Sequence, residues 1–135
     1  MTFDFTLDQE RRHLVIAPGL TEIPAQAFQG SVLFDTVSIP DSVEVIGNSA
    51  FASTSLKEVD IPDSVKKIEE WAFYWNQDLS TISIGSSVED IAAYAFYGAT
   101  IDELVVPDSV KAIGVKAFEE TSNLRSLTLG SSIEV

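Results

Sequence analysis

Chemistry needs side chains that move protons, attack carbon or hold metal, and this chain offers few of them. His13 is the single histidine and there is no cysteine. A nucleophilic triad needs a base held between a hydroxyl and a carboxylate, and His13 has no neighbouring motif that would supply one. Glu69-Glu70 and Glu89-Asp90 are adjacent carboxylates. General acid–base pairs work through unequal environments, and adjacent acids in a polar stretch are solvated alike. No zinc-protease helix motif, glycine-rich phosphate loop or EF-hand spacing occurs. One regularity could hold a hard cation. Asp41, Asp63 and Asp108 recur at one position of a repeating pattern, with Ser86 and Ser131 completing the column. Stacked oxygens suit Ca²⁺, but Ser interrupts the column between Asp63 and Asp108, and Asp and Ser are also the ordinary residues of turns. Neither a catalytic centre nor a cofactor or metal site is expected, and the chain does not read as an enzyme.

Binding is the remaining class, and composition limits the partner. The 135 residues carry 8 basic and 21 acidic side chains, a net charge of −13. That charge opposes nucleic acid and anionic membranes, both of which select Lys and Arg. Hydrophobic residues make up 45% of the chain, enough for a packed core. No apolar run approaches the roughly 18 residues of a membrane span. The opening MTFDFTLDQERR lacks the basic and apolar blocks of a signal peptide.

The elements that would position a binding surface follow from a repeat. Ala-Phe occurs at Ala27-Phe28, Ala50-Phe51, Ala72-Phe73, Ala95-Phe96 and Ala117-Phe118, in steps of 23, 22, 23 and 22 residues. In phase with it run Ile16, Ile39, Ile61, Ile84, Val106 and Leu129, then Val43, Val65, Val88, Val110 and Ile133, then Ile46, Ile68, Ile91 and Ile113. The consensus is L-x-x-V-x-I-P-D-S-V-x-x-I-x-x-x-A-F. Val59-Asp60-Ile61 alternates as a short strand with one buried face. Pro62 ends it, and Asp63-Ser64 turns the chain. Glu69 to Asn76 is long enough for about two helical turns around Ala72 and Phe73. One unit cannot bury its apolar face alone; stacked units can, as parallel strands about 4.8 Å apart with right-handed crossovers.

This consensus over residues 11–135 resembles the BspA-like (Treponema-type) leucine-rich repeats. The resemblance implies an α/β repeat: a right-handed leucine-rich-repeat solenoid of 22–23-residue coils, with a parallel sheet on one face and short helices on the other. Residues 1–17 would form an N-terminal cap hairpin, from the alternation in FDFTLD and HLVIA. About five coils would reach residue 126, with 127–135 the start of a truncated sixth. Relatives commonly carry Cys three residues after the Phe, where this chain has Ser31, Thr54, Asn76, Ala99 and Thr121. The family is associated with adhesion at bacterial surfaces and occurs in some parasitic protists. The function it implies is a non-catalytic protein-interaction module of an extracellular or cell-surface bacterial protein. The alternative is a structural spacer or self-assembly segment, associating end to end through an open C-terminal coil.

Two surfaces compete for a partner. The outward sheet positions include Lys57, Glu58, Asp60, Thr81, Ser83, Asp102, Glu103 and Val105, a small, polar face of mixed charge. The second is aromatic. Trp71 and Tyr94 share the repeat position before Ala, Tyr74 and Tyr97 share the one after Phe, and Trp75 follows. Elsewhere those positions hold Gln26, Ser49 and Lys116, or Gln29, Ala52 and Glu119, so the core does not require aromatics there. The five rings either pack between coils or present a patch to a partner. The partner classes are a host matrix protein, another cell-surface protein, or a carbohydrate.

Overall fold

A computed structural model describes residues 3–121 and 123–133. The alternation of FDFTLD pairs β1 (Phe5–Asp8) antiparallel with β2 (His13–Ile16), Phe5 opposite Ile16. Every later pairing among the described residues is parallel and joins consecutive coils. One row of strands runs from β2 through β4 (Thr36–Ser38), β6 (Glu58–Asp60), β8 (Thr81–Ser83) and β10 (Glu103–Val105) to β12 (Ser126–Thr128). Full ladders join β2 to β4, β6 to β8 and β10 to β12, and the intervening strands lie side by side. Registers follow the repeat, with Val59 beside Ile82 and Leu104 beside Leu127.

A second parallel ladder flanks the first: β3 (Glu22–Ile23), β5 (Val45–Ile46), β7 (Lys67–Ile68), β9 (Asp90–Ile91) and β11 (Ala112–Ile113), stacked in that order. It comes from the Val-x-x-Ile columns, which the sequence marks as inward-facing without revealing that their backbones pair. Val43, Val65, Val88 and Val110 are wholly buried, as are Ile23, Ile46, Ile68 and Ile91. The phenylalanines fill the centre as a continuous stack. Phe28, Phe51, Phe73, Phe96 and Phe118 succeed one another at 5.4, 5.3, 5.1 and 5.3 Å. Each buried ring contributes roughly 1.5–3 kcal/mol by leaving water, and ring stacking adds about 0.5–1.5 kcal/mol. At the N-terminal end Phe3 and Phe5 of the hairpin meet Phe28 edge-on at 5.7 and 5.2 Å.

The short helices expected on the opposite face are absent among the described residues. The Ala-Phe segments are stacked turns, and their backbone geometry explains why. Each is bounded by two residues of positive φ, four apart: Gln26 and Gly30, Ser49 and Ser53, Trp71 and Trp75, Tyr94 and Gly98, Lys116 and Glu120. Left-handed residues cannot continue an α-helix. The amides alternate instead. Ala72 and Tyr74 donate three residues back, to Glu69 and Trp71 carbonyls, while Trp71, Phe73 and Trp75 donate to Ala93, Ala95 and Tyr97 of the next coil. The same alternation holds at Gln26, Phe28 and Gly30, whose amides reach Asn48, Ala50 and Ala52. The third side of the solenoid is therefore held by bonds between coils, as the sheets are.

Asn76, at the position that follows Phe73 by three, is completely buried and joins two of these turns. Its Nδ2 donates to the Phe51 and Phe73 carbonyls at 2.9 and 2.8 Å. Its Oδ1 accepts from the Thr54 amide at 3.0 Å and from the Thr54 hydroxyl. All four bonding capacities of the side-chain amide are used.

Candidate interaction surfaces

The first row of strands presents one residue in two outward. Lys57, Glu58, Asp60, Thr81, Ser83, Asp102, Glu103 and Val105 are all exposed, Val105 at 61%. Strand register places Glu58 beside Thr81 and Asp60 beside Ser83. The Ser83 hydroxyl donates to Asp60 Oδ1 at 2.7 Å. Toward the N-terminus the face is self-paired. Arg12 Nε meets Asp35 Oδ1 at 3.1 Å, and Lys57 Nζ lies 3.5 Å from Asp35 Oδ2. Partial burial alone would raise the Asp35 carboxyl, but the Arg12 and Lys57 cations outweigh it and hold it below the usual carboxylate range. With Lys57 drawn toward Asp35, the rest of the face is net acidic, carrying Glu58, Asp60, Asp102 and Glu103 against the exposed Arg125 in the coil beside Asp102.

His13 is half-buried rather than exposed as its hairpin position suggests. Parallel pairing of β2 with β4 sets His13 beside Thr36, so Nδ1 lies 2.6 Å from Thr36 Oγ1 and Nε2 2.8 Å from Ser38 Oγ. Both ring nitrogens are occupied by hydroxyls on the sheet. The column of Asp and Ser turns out to join coils. Asp63 Oδ1 accepts the Ser86 amide at 2.8 Å, and Asp108 Oδ1 accepts the Ser131 amide at 3.0 Å. The backbone bond from Ser86 is the main cause holding the Asp63 carboxyl below its ordinary range. In both pairs glycine replaces the proline before the donating serine. A Cβ on Gly85 would lie 2.3 Å from the Pro62 carbonyl oxygen, so only glycine admits this approach. Among the described residues no cluster of three or more His, Asp or Glu could hold a metal ion.

The aromatic residues lie on the turn face and answer to both expectations. They pack on one another: Tyr74 stacks on Tyr97 at 5.4 Å, Trp75 on Tyr97 at 5.9 Å, and Trp71 tilts against Tyr94 at 6.2 Å. Trp75 also lies flat over Gly98, where a Cβ would come within 2.4 Å of its ring. Yet Trp71 and Trp75 each remain 41% exposed. Burial, reinforced by Glu120 and Glu119, pushes the Tyr97 hydroxyl above its usual range. Beside the rings an open trench of about 630 Å³ crosses the second coil. Its floor is Ser49, Ala52 and Ser53, one wall is Gln26 and Gln29, and the other is Trp71 and Tyr74. Asn48 and Tyr94 complete the lining. The trench exists because small residues of coil two lie between longer ones on either side. Reading the repeat columns for size as well as polarity would have revealed it.

Residues 11–135 match the BspA type leucine-rich repeat region in six copies. The chain belongs to that family. Its solved relatives confirm the solenoid. A leucine-rich repeat protein of T. pallidum is 29% identical, with a TM-score of 0.79 over 93% of this chain and 67% of the other. The pneumococcal vaccine antigen PcpA is 28% identical, with a TM-score of 0.74 over 87% of this chain and 29% of its own. A leucine-rich repeat protein from Bacteroides ovatus shares the fold at 23% identity and a TM-score of 0.75, covering 89% and 38% of the two chains. The chain thus spans two thirds of the first and less than two fifths of the other two. No curated protein matches the sequence. The family is a protein-interaction type of repeat and generally non-enzymatic, and no helix among the described residues is long and apolar enough to cross a membrane.

Proposed function

We propose that this chain is a non-catalytic adhesion module of a bacterial cell-surface or secreted protein, binding a protein partner through the sheet face. The observation that supports the reading is the arrangement of that face. Glu58, Asp60, Asp102 and Glu103 stand exposed on or beside strands whose backbones are fixed by parallel neighbours, with the exposed Val105 at the edge of the group. A rigid grid of carboxylates with an apolar residue at its edge suits a cationic protein surface, because little ordering entropy is lost on docking. Likeness to a pneumococcal vaccine antigen agrees with a surface location. The test is binding of the immobilised chain to purified host matrix proteins and to intact cells, across a salt series. Charge-led docking weakens as salt rises. Alanine at Glu58, Asp60 and Glu103 together is expected to abolish binding, while alanine at Trp71 is not. Binding that ignores both salt and the triple variant would overturn the sheet-face reading, and no binding at all would favour a spacer.

A further inference from the structure

The trench on the turn face has no counterpart in the sheet-face reading, and its chemistry is different. The protein has a net charge of −13, yet no Asp, Glu, Lys, Arg or His lines the trench. What lines it is amide, hydroxyl and aromatic ring. Gln26 and Gln29 form one wall, and the other is Trp71 and Tyr74, each packed against the following coil on one side and bordering the trench on the other. Ser49 and Ala52 keep the floor low. We propose that this trench is a binding site for a neutral oligosaccharide. A pyranose ring has an apolar C–H face and a rim of uncharged hydroxyls. Tyr74 and Trp71 offer the flat surface on which such a face stacks, and the two glutamines offer both donors and acceptors to the rim. Ionised groups, which would favour sulfated or uronic sugars, are missing from the lining.

The experiment is titration calorimetry of the full chain with neutral hexasaccharides of glucose, mannose, galactose and N-acetylglucosamine, alongside sulfated and uronic hexasaccharides. At least one neutral sugar is expected to bind and the charged ones not. Trp71→Ala is expected to weaken binding about tenfold, equivalent to about 1.4 kcal/mol, and Trp71→Phe to restore most of it. Ser49→Trp fills the trench and should abolish binding. It should also fold, because Trp71 occupies the same repeat position with the same left-handed backbone, φ 58° against 56°. Circular dichroism of each variant verifies the fold. Absence of heat with every neutral sugar, equal binding of the charged ones, or undiminished binding by folded Ser49→Trp would each overturn the proposal.

Discussion

Replacing Asn76 by alanine isolates the most demanding polar contact in the core. The change deletes bonds to the Thr54 amide and to the Phe51 and Phe73 carbonyls, all in a position with no solvent exposure. An orphaned buried donor or acceptor costs roughly 1–3 kcal/mol, with carbonyls at the low end. Three such groups give an expected loss of about 3–5 kcal/mol, a large part of the 5–15 kcal/mol that holds a typical domain together. For a chain of this size about 4 °C accompanies each kcal/mol, so the melting midpoint should fall by about 12–20 °C. Urea unfolding followed by circular dichroism measures the loss directly. Asn76→Asp adds a pH signature. An ionised carboxylate would face two carbonyls, so its pKa in the folded state is raised. The variant's stability relative to wild type is then best below the ordinary aspartate pKa near 4 and declines as pH rises through the raised folded value. Coil four shows the comparison state, since Ala99 makes no such bonds, and Thr121 repeats one of them by donating to the Phe118 carbonyl at 2.7 Å. A loss below about 1 kcal/mol for Asn76→Ala, the scale of one ordinary hydrogen bond, would refute the accounting, as would a pH-independent Asn76→Asp.

Gly85→Ala should cost about 3 kcal/mol in urea unfolding, the upper range for overpacking, because its Cβ meets the Pro62 backbone rather than a movable side chain. Gly98→Ala should lift Trp75 off its seat and shift tryptophan emission to longer wavelength; unchanged emission would mean the ring does not lie there. Ser53→Gly should stabilise by up to about 1 kcal/mol, since Ser53 carries φ 55° where Gly30 and Gly98 occupy the same repeat position. Asp63 and Asp35 have lowered carboxyls in the folded state, so their contribution is present above the model-peptide value of 3.8 and lost as pH falls through the lower folded values. Asp63→Asn should therefore flatten the fall in melting midpoint below about pH 4, and a fall as steep as the wild type's would contradict the Ser86 bond.

The repeat was legible because apolar residues recur at a fixed spacing, and every valine and isoleucine of those columns lies inside or against the core, while Leu129 at the end of the first is exposed. The Ala-Phe segments were misread for a physical reason. Ala72, Phe73 and Asn76 lie inward at spacings a helix would also produce, and the residues before Ala are Gln, Ser, Trp, Tyr and Lys, none of which signals a left-handed backbone. Gly30 and Gly98 at a shared position were the available sign. Asn76 looked like one polar substitution among several, because hydrogen bonds between coils leave no trace in a single position's type. The aromatic cluster was visible, but the trench depends on the smallness of Ser49 and Ala52 beside it.

The direction of the bonds on the turn face bears on how the chain is born. Strand-side amides divide: Lys57 and Ser80 reach back to Asp35 and Lys57, residues already synthesised, while Ile61 and Val106 reach forward to Ser83 and Thr128. Turn-side amides such as Phe51 and Phe73 reach forward to Ala72 and Ala95, which leave the ribosome one coil later. Each coil can therefore begin to dock its strand at once, whereas every amide that its turn sends to another coil waits for the successor. The growing end of the nascent solenoid always carries one half-satisfied coil, and the molecule matures one repeat behind its own translation.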